Sequence, residues 1–104
     1  MNKQNIILIG MPGAGKSSVG VILAKVLGYE FIDTDLVIQH REKRLLREII
    51  ADEGNEGFLA IENEVNATLE ADKSVIAPGG SAIYGKEAME HFKEIGTIVY
   101  LKLS

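Results

Sequence analysis

Between Asn5 and Gly28 the chain reads NIILIGMPGAGKSSVGVILAKVLG, and the succession of residue types in this stretch decides the fold. Asn5 to Gly10, "NIILIG", is a short continuous apolar run rich in β-branched Ile and ended by glycine, the pattern of a strand buried on both faces. Beyond the glycine-rich middle, Val19, Ile22, Leu23, Val26 and Leu27 recur at helical spacing, and Gly28 stands where a C-cap glycine would. The stretch therefore reads as strand, glycine loop, helix.

The loop itself, "GMPGAGKSS" from Gly10 to Ser18, fits G-x-x-x-x-G-K-[ST] at Gly10, Gly15, Lys16 and Ser17. Each type has a physical reason. Glycines let backbone N–H groups turn inward and approach phosphate oxygens, a helix amino terminus adds its dipole, and Lys16 brings a positive charge to the β and γ phosphates. Ser17 supplies a hydroxyl for Mg²⁺. A plain strand-to-helix turn uses similar residues, but the strand before and the helix after are those a phosphate loop requires.

The same alternation continues. "YEFIDTD" (Tyr29 to Asp35) reads as a second strand ending in two acids, followed by two short helical pieces, "DLVIQHREKR" and "LLREIIADEG", the second closed by Gly54. A further helix is expected from about Glu56 to Asp72, with Phe58, Ile61, Val65 and Leu69 on one face. Leu59 falls off that face, beside Glu62, Asn63 and Asn66. "SVIAPGG" (Ser74 to Gly80) reads as a third strand ending in a Pro-Gly-Gly turn, "KEAMEHFKEIG" as a helix and "TIVYLKL" as a fourth strand. Strands alternating with helices indicate a three-layer α/β fold with a parallel sheet and right-handed crossovers. Both faces of such a sheet must be covered. A chain stopping one residue past its last strand is thus expected to be the amino-terminal part of a longer fold, a single domain over 1–104.

Two further features fall at the carboxyl ends of strands, where ligands of open α/β sheets bind. The i, i+2 spacing of Asp33 and Asp35 keeps both on one side of an extended segment. One could hold Mg²⁺ and the other accept a hydrogen bond from a substrate hydroxyl, although Asp35 is also placed to cap a helix beginning at Leu36. Gly79 and Gly80 would let a ligand approach the backbone closely, or simply make a turn.

Composition narrows the classes. The 104 residues are 46% hydrophobic and 25% charged, a globular balance for one domain, and the net charge of −4 disfavours binding to nucleic-acid phosphates. The basic cluster "HREKRLLR" at 40–47 reads as a solvated helix face. With no cysteine there is neither a disulfide framework nor thiolate chemistry. The amino terminus lacks the apolar run of a signal peptide and no segment is long enough to span a membrane, so a cytoplasmic protein is expected. His40 and His91 have no partners at metal-ligand spacing and are expected at the surface; with Ser17 or Ser18 they form no nucleophilic arrangement.

With the glycine loop, "FIDTD" and "VIAPGGSAI" in this order, the whole chain resembles the amino-terminal part of the shikimate kinase family, within the nucleoside-monophosphate-kinase-like P-loop folds. The resemblance implies strand order 2-3-1-4 and an ATP-dependent kinase moving the γ-phosphoryl to a hydroxyl of shikimate, with positioning and charge stabilisation supplying most of the catalysis. It implies ATP phosphate binding by Gly13, Ala14, Gly15, Lys16, Ser17 and Ser18, with Mg²⁺ as cofactor on Ser17 and Asp33. Lys16 and Asp35 become the catalytic residues, and Asp35, position 59, Gly79 and Gly80 contact the acceptor. Its partners would be ATP and the acceptor, with no nucleic acid or membrane, and a monomer is favoured.

Three departures accompany it. Leu59 stands where the family has an arginine that grips the substrate carboxylate, a contact worth roughly 2 to 5 kcal/mol when buried. Ser81 replaces a third glycine and Pro78 a threonine, and proline brings no N–H and a fixed φ. The family's arginine-bearing lid and carboxyl-terminal segment have no counterpart within the 104 residues, so this chain alone is expected to be a poor catalyst. The alternatives are a noncatalytic ATP-binding sensor and a kinase for a different hydroxyl-bearing acceptor.

Overall fold

The structure, a computed structural model, describes residues 4–10 and 16–101, the side chains of Lys16 and Ser17 excepted. The first strand, β1 (Asn5–Gly10), and the helix α1 (Lys16–Leu27) fall where the apolar run and the helical spacing place them, and Gly28 follows with φ 72°. The remaining elements are β2 (Glu30–Asp33), α2 (Thr34–Glu42), α3 (Leu46–Ala67), β3 (Ser74–Ala77), a 3₁₀ turn (Ala82–Tyr84), α4 (Lys86–Ile95) and β4 (Gly96–Leu101).

The strands form one sheet in the order β2-β3-β1-β4, every pairing parallel, as the resemblance implies. Register follows side-chain alternation. Ile7 and Ile9 of β1 and Ile76 of β3 face Ala88, Phe92 and Ile95 of α4, whereas Leu8 and Val75 point to the opposite face and meet Ala24 of α1. These two faces give the layers helix, sheet, helix. Phe92 is fully buried, and truncating a core phenylalanine typically costs about 3 to 5 kcal/mol. A third cluster, Ile38, Ile49 and Val65, joins α2 to α3 beside the sheet.

Several expectations need correction. The buried side of α1 is Gly20, Leu23 and Ala24, and the helix lies close at Gly20, where a Cβ would stand 2.5 Å from Phe31 Cε1; Ile22 and Val26 are 64% and 77% exposed. Gly54 closes the helical piece that begins at Leu46, as expected, with a φ of 77° and ψ of 174° that only glycine adopts at little cost, and the next helical piece follows it within the span α3. That span ends at Ala67 rather than Asp72, with Thr68 Oγ1 donating to the Glu64 carbonyl in the last turn.

The basic cluster is not one helix face, because Lys43 at φ 57° ends α2 within it. Arg44 there donates to Glu42, Asp52 and Glu53 at 3.0 to 3.3 Å, and Arg41 to Glu64 at 2.8 Å. His91 is half-buried against the Leu69 carbonyl, so only His40 is the exposed histidine expected.

At the amino-terminal edge of the sheet, buried Asn5 ties three segments together. Its Nδ2 donates to the carbonyls of Ala71 and Ile95, each at 2.9 Å, and its Oδ1 accepts from the Ser74 amide at 3.0 Å. Removing a side chain that satisfies several buried backbone groups leaves each of them short of a partner. Asn5→Ala is therefore expected to lower stability by about 2 to 4 kcal/mol in urea unfolding. A change below about 0.5 kcal/mol would mean that water replaces the clamp without cost.

Candidate functional site

Parallel pairing puts the carboxyl ends of the four strands on one edge. β1 ends at Gly10 and hands on to the amino terminus of α1 at Lys16; the loop residues Gly13, Ala14 and Gly15 lie outside the described residues, as do the side chains of Lys16 and Ser17. Ser18 lies exposed in the first turn of α1.

The two acids after β2 take different conformations. Asp33 is the last residue of the strand and the N-cap of α2, its Oδ1 accepting from the Asp35 amide at 2.9 Å. Asp35 is already in the first helical turn, so the cap falls to Asp33 and the pair does not share one extended segment. The chain turns into a helix two residues earlier than expected because Asp33 satisfies one of the open N–H groups of α2. Capping leaves the second oxygen of Asp33 for other contacts.

Asp35 is aimed at the end of β3. A Cβ placed on Gly79 would stand 2.8 Å from Asp35 Oδ1 and 3.0 Å from Glu62 Oε2, so a side chain at 79 would displace both carboxylates. The glycine is needed for this close approach. Gly80 is exposed next to it, and Ala82 N donates to the Gly79 carbonyl at 3.0 Å, starting the 3₁₀ turn.

Glu62 was not singled out by sequence reasoning, and it is the central residue of this arrangement. Only 2% exposed, it takes a hydrogen bond from Ser81 Oγ to Oε1 at 2.7 Å. Burial pushes its carboxyl above the ordinary value, the neighbouring charge of Asp35 adds to the rise, and the Ser81 hydroxyl opposes both. Its signal was the polar stripe Glu62, Asn63 and Asn66 on α3, which resembles a solvated face. That stripe turns inward: Asn66 is fully buried with neither amide atom bonded to another described group, and Asn63 donates to Glu87 Oε2 and accepts from the Ala88 amide.

Leu59 lies one turn before Glu62, 37% exposed, at the wall of a cleft of about 300 Å³ between α3 and the segment 81–87. Glu62, Asn63, Ser81, Lys86 and Glu87 line the same cleft. Asp35, Glu62, Gly79 and Ser81 are thus drawn together, with Leu59 close by. Among the described residues no cluster of three or more acidic, histidine or cysteine side chains forms a ready metal cage, and no helix is long and apolar enough to cross a membrane.

The chain matches the family described as "Shikimate kinase" over residues 12–104. It is 40% identical over 101 residues to "Shikimate kinase 2" of Yersinia enterocolitica, covering 97% of this chain and 58% of that protein. A shikimate kinase from Acinetobacter baumannii, solved in complex with shikimate, superposes with a TM-score of 0.90 at 38% identity, over 98% of this chain and 57% of the other. The shikimate kinase from Aquifex aeolicus gives a TM-score of 0.83 at 36% identity, over 93% of this chain and 62% of the other. The chain therefore spans somewhat more than half the length of these relatives.

The raised carboxyl of Glu62 makes a prediction with a definite sign. A carboxyl whose folded pKa exceeds its unfolded value favours folding while it keeps its proton, and that advantage is lost as pH rises through the folded value. Glu62→Gln keeps an oxygen for Ser81 and cannot ionise. Its Tm relative to the unsubstituted chain is expected to increase between about pH 4 and about pH 7; a constant or shrinking difference would show that Glu62 ionises without penalty.

Proposed function

This chain belongs to the shikimate kinase family, and on that premise we propose that it carries the donor loop and acceptor site of an ATP-dependent kinase, which moves the γ-phosphoryl to a ring hydroxyl of shikimate or a shikimate-like ring. The observation that carries the reading is the convergence of Asp35 and Glu62 on Gly79, at the sheet edge where β1 also hands on to α1. Two carboxylates accept hydrogen bonds from hydroxyls, and a glycine lets an acceptor ring approach the backbone beside them.

In this proposal the phosphates lie on the amides of Gly13, Ala14 and Gly15 and the first turn of α1, with Lys16 on the β and γ oxygens and Ser18 beside them. Ser17 and the uncapped oxygen of Asp33 are the Mg²⁺ contacts. One or two protein ligands suit that ion, because Mg²⁺ usually keeps several waters and substrate phosphates. When bound, it neutralises charge developing on the transferred group. Asp35 holds the attacking hydroxyl and takes up its proton, Glu62 fixes a second hydroxyl, and Gly79 and Gly80 offer backbone contacts. Because phosphoryl transfer has a loose, in-line transition state, the contribution of these residues is alignment and charge balance more than covalent chemistry.

A second reading, a domain that binds ATP without transferring phosphate, draws support from Leu59 and Ser81 at the acceptor wall. Turnover separates the two. Lys16→Ala is expected to weaken binding of a fluorescent ATP analogue by about a hundredfold or more. Asp35→Asn should leave that binding nearly intact but reduce acceptor-dependent ADP release by about 10² or more. Unaltered nucleotide binding in Lys16→Ala would refute the phosphate loop. In the full-length protein, ATP binding without ADP release in the presence of shikimate and related polyols would leave only the sensor.

A further inference from the structure

Resting on the reading of Asp35, Glu62 and Gly79 as a kinase acceptor site, which meets the cleft beside Leu59 at Glu62, we infer that this site prefers an uncharged, hydroxyl-bearing ring over a carboxylate, and that Leu59 sets the preference. The wall contributed by α3 presents Leu59 and Ala60 above Glu62 and Asn63, an apolar strip beside hydrogen-bonding groups. That pairing suits a polyol ring, whose C–H edge can lie on the leucine while its hydroxyls meet oxygens below. Leucine offers neither a donor nor a positive charge.

The charges along the cleft point the same way. Lys86 is the one basic residue among its described lining, against two acids, Glu62 and Glu87. Glu87 is held below the ordinary carboxylate range by its own backbone amide and by Asn63, with Lys86 adding, so it keeps its negative charge beside the lysine. A carboxylate entering beside Leu59 would lose water, meet Glu62 at close range and gain no bidentate partner from the cleft lining.

Hydroxyls fare better. Glu62 already has Oε1 engaged by Ser81, while Oε2 is turned toward Gly79 and the Asp35 carboxylate, where it can accept from a ring hydroxyl. Ser81 therefore acts as a positioning residue, fixing which oxygen of Glu62 faces the acceptor.

The test compares shikimate with its methyl ester, which keeps the ring and all three hydroxyls and removes the charge. Binding of each to the full chain, measured by calorimetry with a nonhydrolysable ATP analogue and Mg²⁺ present, is expected to show the ester binding at least as tightly as the acid. In Leu59→Arg the ratio should move toward the acid by about tenfold or more. Leu59→Lys should move it in the same direction by less, because it supplies charge without the fork. Tighter binding of the acid than the ester to the unsubstituted chain overturns the inference and leaves the kinase reading standing. An unchanged ratio in both variants overturns the role of Leu59. Binding of neither compound, while the ATP analogue still binds, overturns the acceptor site and the inference together.

Discussion

Parallel pairing of β2, β3, β1 and β4 sends four carboxyl ends to one edge of the sheet, and the arrangement of the acids depends on that constraint. Because the strands run the same way, the end of β1, the acids at and just after the end of β2 and the glycines after β3 lie along one edge despite separations of twenty residues or more in the chain. The register is held by alternating burial, Ile7 and Ile9 on one face and Leu8 on the other, since a one-residue slip would exchange the faces. At the opposite edge Asn5 closes the same frame by joining β1 to the segments leading into β3 and β4. The carboxyl-end edge can therefore carry charge and lack a side chain at Gly79 because the interior and the far edge hold the strands in place.

The acids at this edge carry an electrostatic cost. Glu62 sits buried next to Asp35, and both effects disfavour a second negative charge; a hydroxyl from Ser81 offsets part of it. Like charges held close are common where a site must accept hydrogen bonds or protons, since a permanently neutral pair would have less affinity for a hydroxyl. The proximity of Asp35, Glu62 and Gly79 is thus costly to the fold, and on the proposed reading the same groups would hold an acceptor, the pattern expected when a local rule is broken for function. Asn66, buried one turn further along α3 without a partner among the described residues, extends the same polar stripe into the interior.

Most of the architecture was legible in the residues. Apolar runs ended by Gly10 and by Pro78-Gly79 located two central strands, and the alternation with helical spacing implied parallel pairing. What was not legible depended on tertiary placement. The large apolar residues of α1 suggest its buried side, yet Gly20 and Ala24 are the ones that fit against the sheet. Glu62 looked like part of a solvated stripe, because nothing within a single helix shows that α2, β3 and the 3₁₀ turn converge over it. Local capping also escaped the pattern: Asp33 rather than Asp35 caps α2, since the strand ends in the residue whose oxygen can reach the amide two positions on. The phosphate-loop pattern was therefore written in one contiguous motif, whereas the cluster around Glu62 was assembled from α2, α3 and the segment after β3.

A crystal structure of the chain with a nonhydrolysable ATP analogue, Mg²⁺ and a shikimate-type acceptor tests the central claim most directly. The account predicts triphosphate on the loop before α1, and an acceptor ring between Leu59 and Gly79 with one hydroxyl on Asp35 and another on Glu62. An acceptor bound elsewhere, or a nucleotide away from the amino terminus of α1, would contradict it.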